Sequence, residues 1–126
     1  MLLSLVTSAS IKTTNKMIFH KEDTTTIITP EKASLSALPE ALKKVYPQYK
    51  QGAIIVNLLH FDTLTEAEIL PFLELSNTHR ASGQSFVLVN AKVAYEAIPE
   101  EIAVVPTLQE AKDLIAMEDI ERDLGM

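Results

Sequence analysis

The most informative stretch of the sequence is residues 53–59, which read Ala-Ile-Ile-Val-Asn-Leu-Leu. Six of these seven residues are apolar. A strand with one face in water alternates apolar and polar residues, whereas a strand covered on both faces reads as a continuous apolar run. We therefore predict that residues 53–59 form a strand at the centre of a sheet.

Outward from this strand, strands and helices alternate along the chain. β-Branched and apolar residues in 16–23 and 24–29 predict a β-hairpin. Apolar spacing predicts three helices: one over residues 38–49 with Ser36 as N-cap, one after residue 65 and one over residues 108–124. It also predicts a short helical turn at 91–98 and strands at 85–89 and 102–105. The order β-β-α-β-α-β-α-β-α predicts an α/β fold, with a four- to five-stranded mixed sheet flanked by helices.

The chain has 126 residues, a length that fits one domain. We place that domain at residues 17–126. Residues 1–16 are rich in Ser and Thr, and no Lys or Arg precedes Lys12. A secretory signal needs a basic stretch before its apolar run, so this segment is predicted to be a leader that is flexible or adds a strand. A start at Met17 is the other interpretation.

Composition excludes several classes of protein. The chain has no cysteine, three glycines and a formal net charge of −6. These values argue against thiolate metal sites, glycine-rich phosphate loops and nucleic-acid binding. His20, His60 and His79 form no helical i, i+3 or i, i+4 zinc pair, and no apolar run approaches the ~18 residues of a membrane span. We expect a cytoplasmic protein with no cofactor, no metal, no nucleic-acid partner and no membrane contact.

Residues 65–68 read Thr-Glu-Ala-Glu, which is the form of a capping box at a helix N-terminus. Pro71 conflicts with a regular helix from Glu66, because its ring would crowd the carbonyl of Ala67. Either the first turn is irregular, or the helix begins near Leu70.

Three stretches of the sequence carry a family resemblance. They are residues 54–58 (Ile-Ile-Val-Asn-Leu), 85–89 (Ser-Phe-Val-Leu-Val) and 104–111 (Val-Val-Pro-Thr-Leu-Gln-Glu-Ala). Together they resemble the STAS domain, the fold of bacterial anti-sigma-factor antagonists and of the cytoplasmic tails of sulphate transporters. The resemblance extends over residues 17–124. It implies a non-enzymatic interaction module whose partner is an anti-sigma factor or a related kinase-like regulator.

The loop that carries the family's phosphorylation site departs from the family pattern. In the family, a strand ending in Val-Asp-Leu leads to a loop with Asp-Ser-Ser-Gly. An ungapped count from residues 56–58, Val-Asn-Leu, places that loop at residues 65–68. The phosphorylated serine then falls on Ala67, which has no hydroxyl. The resemblance therefore implies a degenerate phosphorylation site, with Thr63 and Thr65 as candidate substitute phosphoacceptors or as ordinary turn and cap residues.

Glu66 and Glu68 have two open interpretations. A helix N-terminus favours negative charge, so two permanent carboxylates there could mimic the phosphorylated state. The plainer interpretation is a capping box formed by Thr65 and Glu68.

We expect the partner to bind the loop and helix start that follow the central strand, because loops on rigid scaffolds tend to carry function. The predicted partner-binding residues are Asp62, Thr63, Leu64, Thr65, Glu66, Ala67, Glu68 and Ile69. Two alternatives use the same edge of the sheet. One is a small-ligand-binding sensor or subunit with a cleft near Asp62, and the other is a weak hydrolase built on His60 and Asp62.

The last predicted helix changes its apolar side along its length. Leu108, Ala111 and Ile115 cluster on one side at 100° per residue, whereas Met117, Ile120 and Leu124 cluster almost opposite. Either the helix breaks near Met117, or these three residues contact a second copy of the chain or another partner.

Overall fold

The computed structural model describes residues 17–30, 35–94, 96 and 98–125. Within these residues, five strands form one mixed sheet, in the order β1-β2-β3-β4-β5. They are β1 (Met17–Glu22), β2 (Thr25–Pro30), β3 (Ile54–Asn57), β4 (Phe86–Val89) and β5 (Ala103–Val105). β1 pairs with β2 as an antiparallel hairpin, and the remaining pairs are parallel. β3 is the middle strand, so the predicted central strand is confirmed, although it extends only over Ile54–Asn57 of the predicted residues 53–59.

The described part of the chain also holds four α-helical segments: α1 (Leu38–Tyr49), α2 (Glu66–Ile69), α3 (Leu73–Ala81) and α4 (Leu108–Asp123). A 3₁₀ turn at Leu35–Ala37 leads into α1. Ala37 therefore occupies the cap position, and the prediction of Ser36 as N-cap is wrong. A second 3₁₀ turn, Leu70–Phe72, joins α2 to α3.

The sheet separates two apolar layers, as the alternation of side chains along β3 requires. Ile54 and Val56 point to the larger layer, where they pack with residues of α1, α2 and α3. Ile55 points to the opposite layer, where Ala111 and Ile115 of α4 cover the sheet. Each of these three strand residues has no exposed surface. Burying one such side chain contributes about 1.5–3 kcal/mol, so β3 is a major source of stability.

Gly52, in the connection from α1 to β3, lies against the backbone of Thr24 in the hairpin. Its φ is +99°, and a Cβ at this position would lie 1.8 Å from the carbonyl oxygen of Thr24. Glycine is therefore required for both the backbone conformation and the available space. The Gly52 N–H also donates to the side-chain oxygen of Gln84, which ties the connection to the segment before β4.

Two predictions concern segments that the structure describes partly or not at all. The leader, residues 1–16, lies outside the described residues. The helical turn predicted over residues 91–98 includes residues 95 and 97, which are also outside them, while Ala91 and Lys92 form a turn. Among the helices of the described ranges, none combines the length and apolar character needed to cross a membrane.

His79 of α3 is completely buried and links three parts of the core. Its Nε2 lies 2.7 Å from the carbonyl oxygen of Gly52, and its Nδ1 lies 2.7 Å from the hydroxyl of Tyr46. A carbonyl oxygen can only accept, so Nε2 carries the proton, and Nδ1 accepts from Tyr46 in the neutral form. Burial lowers the pKa of His79 because it disfavours the charged ring.

The lowered pKa predicts that the protein loses stability in mild acid. The unfolded chain binds a proton at His79 more readily than the folded chain, so the free energy of unfolding is highest above pH 6.5. It should fall progressively as the pH drops from 6.5 towards 5. Urea unfolding across that range would measure the decline, and it should be shallower in His79→Gln. An NMR titration midpoint for His79 at or above 6.5 would contradict this explanation.

Candidate functional site

The candidate site lies at the carboxyl edge of the parallel strands, where α/β proteins commonly bind their ligands and partners. β3 ends at Asn57, and residues 58–65 form the loop that leads to α2. β4 ends beside it at Val89 and is followed by Asn90. The loop after β3 and the polar residue Asn90 after β4 therefore lie side by side at the middle of the sheet.

The predicted capping box is present at the start of α2. The hydroxyl oxygen of Thr65 accepts from the Glu68 N–H at 3.2 Å, and the Glu68 carboxylate accepts from the Thr65 N–H at 2.9 Å. These reciprocal bonds satisfy two backbone donors that a helix start would otherwise leave free. The Glu68 side chain therefore forms the cap that the plainer interpretation predicts.

Pro71 determines how the helix continues. α2 forms a single turn, the chain tightens to 3₁₀ geometry at Leu70–Phe72, and α3 then begins at Leu73. Because the proline stands near the start of the 3₁₀ turn, it avoids the clash that a continuous helix would impose. The helix therefore begins at Glu66 with a regular α turn, and the irregular turn is the second one, so neither of the two interpretations is fully correct.

The predicted partner-binding residues divide into anchors and exposed groups. Leu64 and Ile69 are buried in the larger layer, with 2% and 0% of their surfaces exposed. Their side chains hold the segment in place and are not available to a partner. The others face solvent: Asp62, Thr63, Thr65, Glu66, Ala67 and Glu68. The site is thus a short exposed ridge fixed by a buried residue near each end.

Asn90 fixes the loop from the neighbouring strand, and sequence reasoning missed it. Its side chain is fully buried, and its Nδ2 lies 2.9, 3.2 and 3.3 Å from the carbonyl oxygens of Leu58, Phe61 and Asp62, so its two N–H groups are shared among three acceptors. Its Oδ1 accepts from the Lys92 N–H at 3.0 Å. One side chain therefore satisfies backbone groups along the entire turn. The available signal was a polar residue directly after the apolar strand Phe86–Val89.

Asn57 plays a similar part at the end of β3. Its Oδ1 accepts from the Leu59 N–H at 3.1 Å, and its Nδ2 donates to the Thr29 hydroxyl at 3.3 Å. It stands where the family pattern has an aspartate, and its amide can donate where an ionised carboxylate could not. Asn57 thus ties the loop start to β2.

The structure does not assemble the residues of the hydrolase alternative. The ring of His60 stacks on Phe61 with a centroid distance of 4.5 Å. The Asp62 carboxylate is 94% exposed and pairs instead with the Lys92 ammonium at 3.2 Å. Within the described residues, no hydrogen bond joins His60 to Asp62, and no group of three or more His, Cys, Asp or Glu residues could hold a metal ion.

The second half of α4 contradicts the expectation that this helix breaks. The helix is continuous from Leu108 to Asp123, so the predicted break near Met117 is wrong. Thr107 caps its N-terminus by accepting from the Glu110 N–H at 3.0 Å. Met117, Ile120 and Leu124 remain 53%, 58% and 68% exposed.

Comparison with known proteins identifies the fold. No family model and no curated protein matches the sequence. Seven chains of solved structures match the fold. One is a variant of RsbS from Moorella thermoacetica in which glutamate replaces a serine; the match covers 85% of this chain and 98% of that one, with a TM-score of 0.60 and 15% sequence identity. The chain has the STAS fold, as the resemblance in its sequence implied.

The Asn90 contacts predict that one substitution will loosen the loop. Asn90→Ala removes the amide donor from the carbonyl oxygens of Phe61 and Asp62 and one of two donors from that of Leu58, so the free energy of unfolding should fall by about 1–3 kcal/mol. Hydrogen exchange should accelerate most at the Phe61 amide, which bonds to the Leu58 carbonyl at 3.1 Å. Lys92→Ala is the control, because it removes only the exposed ion pair with Asp62. Unchanged exchange at Phe61 in Asn90→Ala would show that Asn90 does not hold the turn.

Proposed function

We propose that this protein is a non-enzymatic, cytoplasmic interaction module of the anti-sigma-factor-antagonist type. Its contact surface is the exposed ridge formed by Asp62, Thr63, Thr65, Glu66, Ala67 and Glu68. The observation that carries the proposal is that this ridge is both exposed and held by the buried side chains of Leu64, Ile69 and Asn90. A surface that is ordered before binding loses little conformational entropy when a partner docks.

The fold and the sequence resemblance together support the proposed class of partner. The STAS resemblance implies an anti-sigma factor or a kinase-like regulator, and the match to an RsbS variant supports the same architecture. The alternatives at this edge lack comparable support. Asp62 is an exposed residue paired with Lys92, and His60 packs on Phe61. Protein binding is the function that this arrangement favours.

The ridge lacks the serine hydroxyl that a phosphorylation switch of this type needs. Ala67 supplies no hydroxyl, and the Thr65 oxygen already accepts the cap bond from Glu68. Glu66 therefore provides the exposed, permanent negative charge at the helix start, where the backbone N–H groups favour an anion. We propose that the module is held in one binding state by this charge, and that Thr63, which faces solvent, is the position where phosphate could be added.

Ala67→Arg tests the contact surface. Arginine suits an exposed helical position, so the fold should be kept while a bulky cation blocks the ridge. The immobilised protein should capture from its native lysate a protein with an anti-sigma or kinase-like ATP-binding domain. Capture should fall by at least about tenfold, or roughly 1.4 kcal/mol, in the variant. Quantitative mass spectrometry measures the difference.

Ala81→Arg is the matched control for that experiment. It makes the same substitution at an exposed alanine at the end of α3, away from the ridge. Capture by this variant should equal that of the unmodified protein. Equal capture by all three proteins, or specific capture of proteins outside the named class, would refute the proposed function.

The role of the fixed charge has a separate test. Glu66→Gln removes the exposed carboxylate, whereas Glu68→Gln retains a side chain that can complete the capping box. Selectivity for the captured partner should be lost with Glu66→Gln and kept with Glu68→Gln. If both variants bind as the unmodified protein does, the charge has no part in recognition, although the contact surface can still be correct. The same samples show by mass whether Thr63 carries phosphate.

A further inference from the structure

The second half of α4 has its polar and apolar faces reversed. In the first half, Ala111 and Ile115 face inward and are buried against the sheet. One turn later the inward positions hold Glu118 and Arg122, while Met117, Ile120 and Leu124 face solvent. An amphipathic helix that served only the core would place these residues the other way round.

A polar network fixes this reversed orientation. The Glu118 carboxylate, 16% exposed, accepts from Arg80 of α3 at 3.2 Å and from the hydroxyl of Ser85, the residue before β4. Arg122 donates to the same Ser85 hydroxyl at 3.2 Å. These contacts reach α3 and the start of β4, so α4 cannot rotate to bury its outer apolar residues without breaking them.

The exposed apolar residues have the spacing of a helix-packing seam. Met117, Ile120 and Leu124 stand at i, i+3 and i+7, the positions a, d and a of a heptad. In that register Glu121 and Asp123 occupy the flanking e and g positions, and both are exposed. Residues at e and g face the partner helix across the seam, so their charge selects the partner.

The basic residues of α4 do not neutralise these flanks. Lys112 pairs with Glu22 of β1 at 2.9 Å. Arg122 pairs with Asp119 at 3.0 Å and lies 3.8 Å from Glu118. The seam formed by Met117, Ile120 and Leu124 is therefore bordered by acidic side chains. A second copy of the chain packed antiparallel on this seam would oppose acidic residues to acidic residues, which weakens self-association.

We propose that the seam binds an amphipathic helix of another protein that has apolar residues at its a and d positions and Lys or Arg at the positions beside them. The seam lies near Ser85, at the amino edge of β4, whereas the ridge at residues 62–69 follows the carboxyl edge. The two surfaces are thus at opposite edges of the sheet. This second docking surface is independent of the proposed function.

Two synthetic peptides test the proposal directly. Each has about three heptads with Leu at a and d; one has Lys and the other Glu at e and g. Fluorescence anisotropy should show the Lys peptide binding at least about tenfold more tightly than the Glu peptide. Ile120→Ser should abolish the difference. The charge reversal Glu121→Lys with Asp123→Lys should transfer the preference to the Glu peptide.

Ile18→Ser is the matched control, since Ile18 is also an exposed isoleucine, at 49%, but lies on β1. This variant should bind the Lys peptide as the unmodified protein does. Equal binding of the two peptides, loss of binding in Ile18→Ser, or retained binding in Ile120→Ser would overturn the proposal. So would a dimer, seen by sedimentation equilibrium, that Ile120→Ser dissociates, because the occupant would then be a second copy.

Discussion

Strand β3 is buried on both faces, and this constraint determines where polar groups of the candidate site can lie. Ile54, Ile55 and Val56 have no exposed surface, so none of them is open to a partner. The strand can therefore offer polar groups to a partner only beyond its end, where its backbone leaves the sheet. Asn57 and Asn90 stand at the ends of neighbouring strands, and each uses its amide to satisfy the backbone there. Burial of the sheet centre thus leads directly to an ordered loop.

The ridge that results is stiff for reasons that are independent of one another. Leu64 and Ile69 anchor it through the core, Asn90 holds the loop backbone, and Thr65 with Glu68 closes the helix start. A loop held in this way has one preferred shape. Its acidic residues therefore remain near the helix N-terminus, where the dipole stabilises negative charge. This favours a constant binding surface over one that changes shape with its own modification.

The features predicted from the sequence are those set by neighbouring residues. The apolar run at residues 53–59, the hairpin and the capping box at residues 65–68 depend on local periodicity or on contacts three residues apart. The clamp by Asn90 could not be predicted in this way, because its partners lie 28 to 32 residues earlier in the chain. Pro71 gave a genuine ambiguity, since a proline can be accommodated by a local 3₁₀ turn or by a later helix start.

The last helix is unbroken although its apolar side changes along its length. The shift of the apolar side after Ile115 is typical of a broken helix, yet the helix continues to Asp123. It continues because Glu118, Arg80, Arg122 and Ser85 replace apolar packing with mutual hydrogen bonds. Drawing charged groups from water is costly, and an apolar inward face would often be as stable or more stable. Stability alone therefore does not explain why the apolar residues face outward, and the proposed partner helix would explain it.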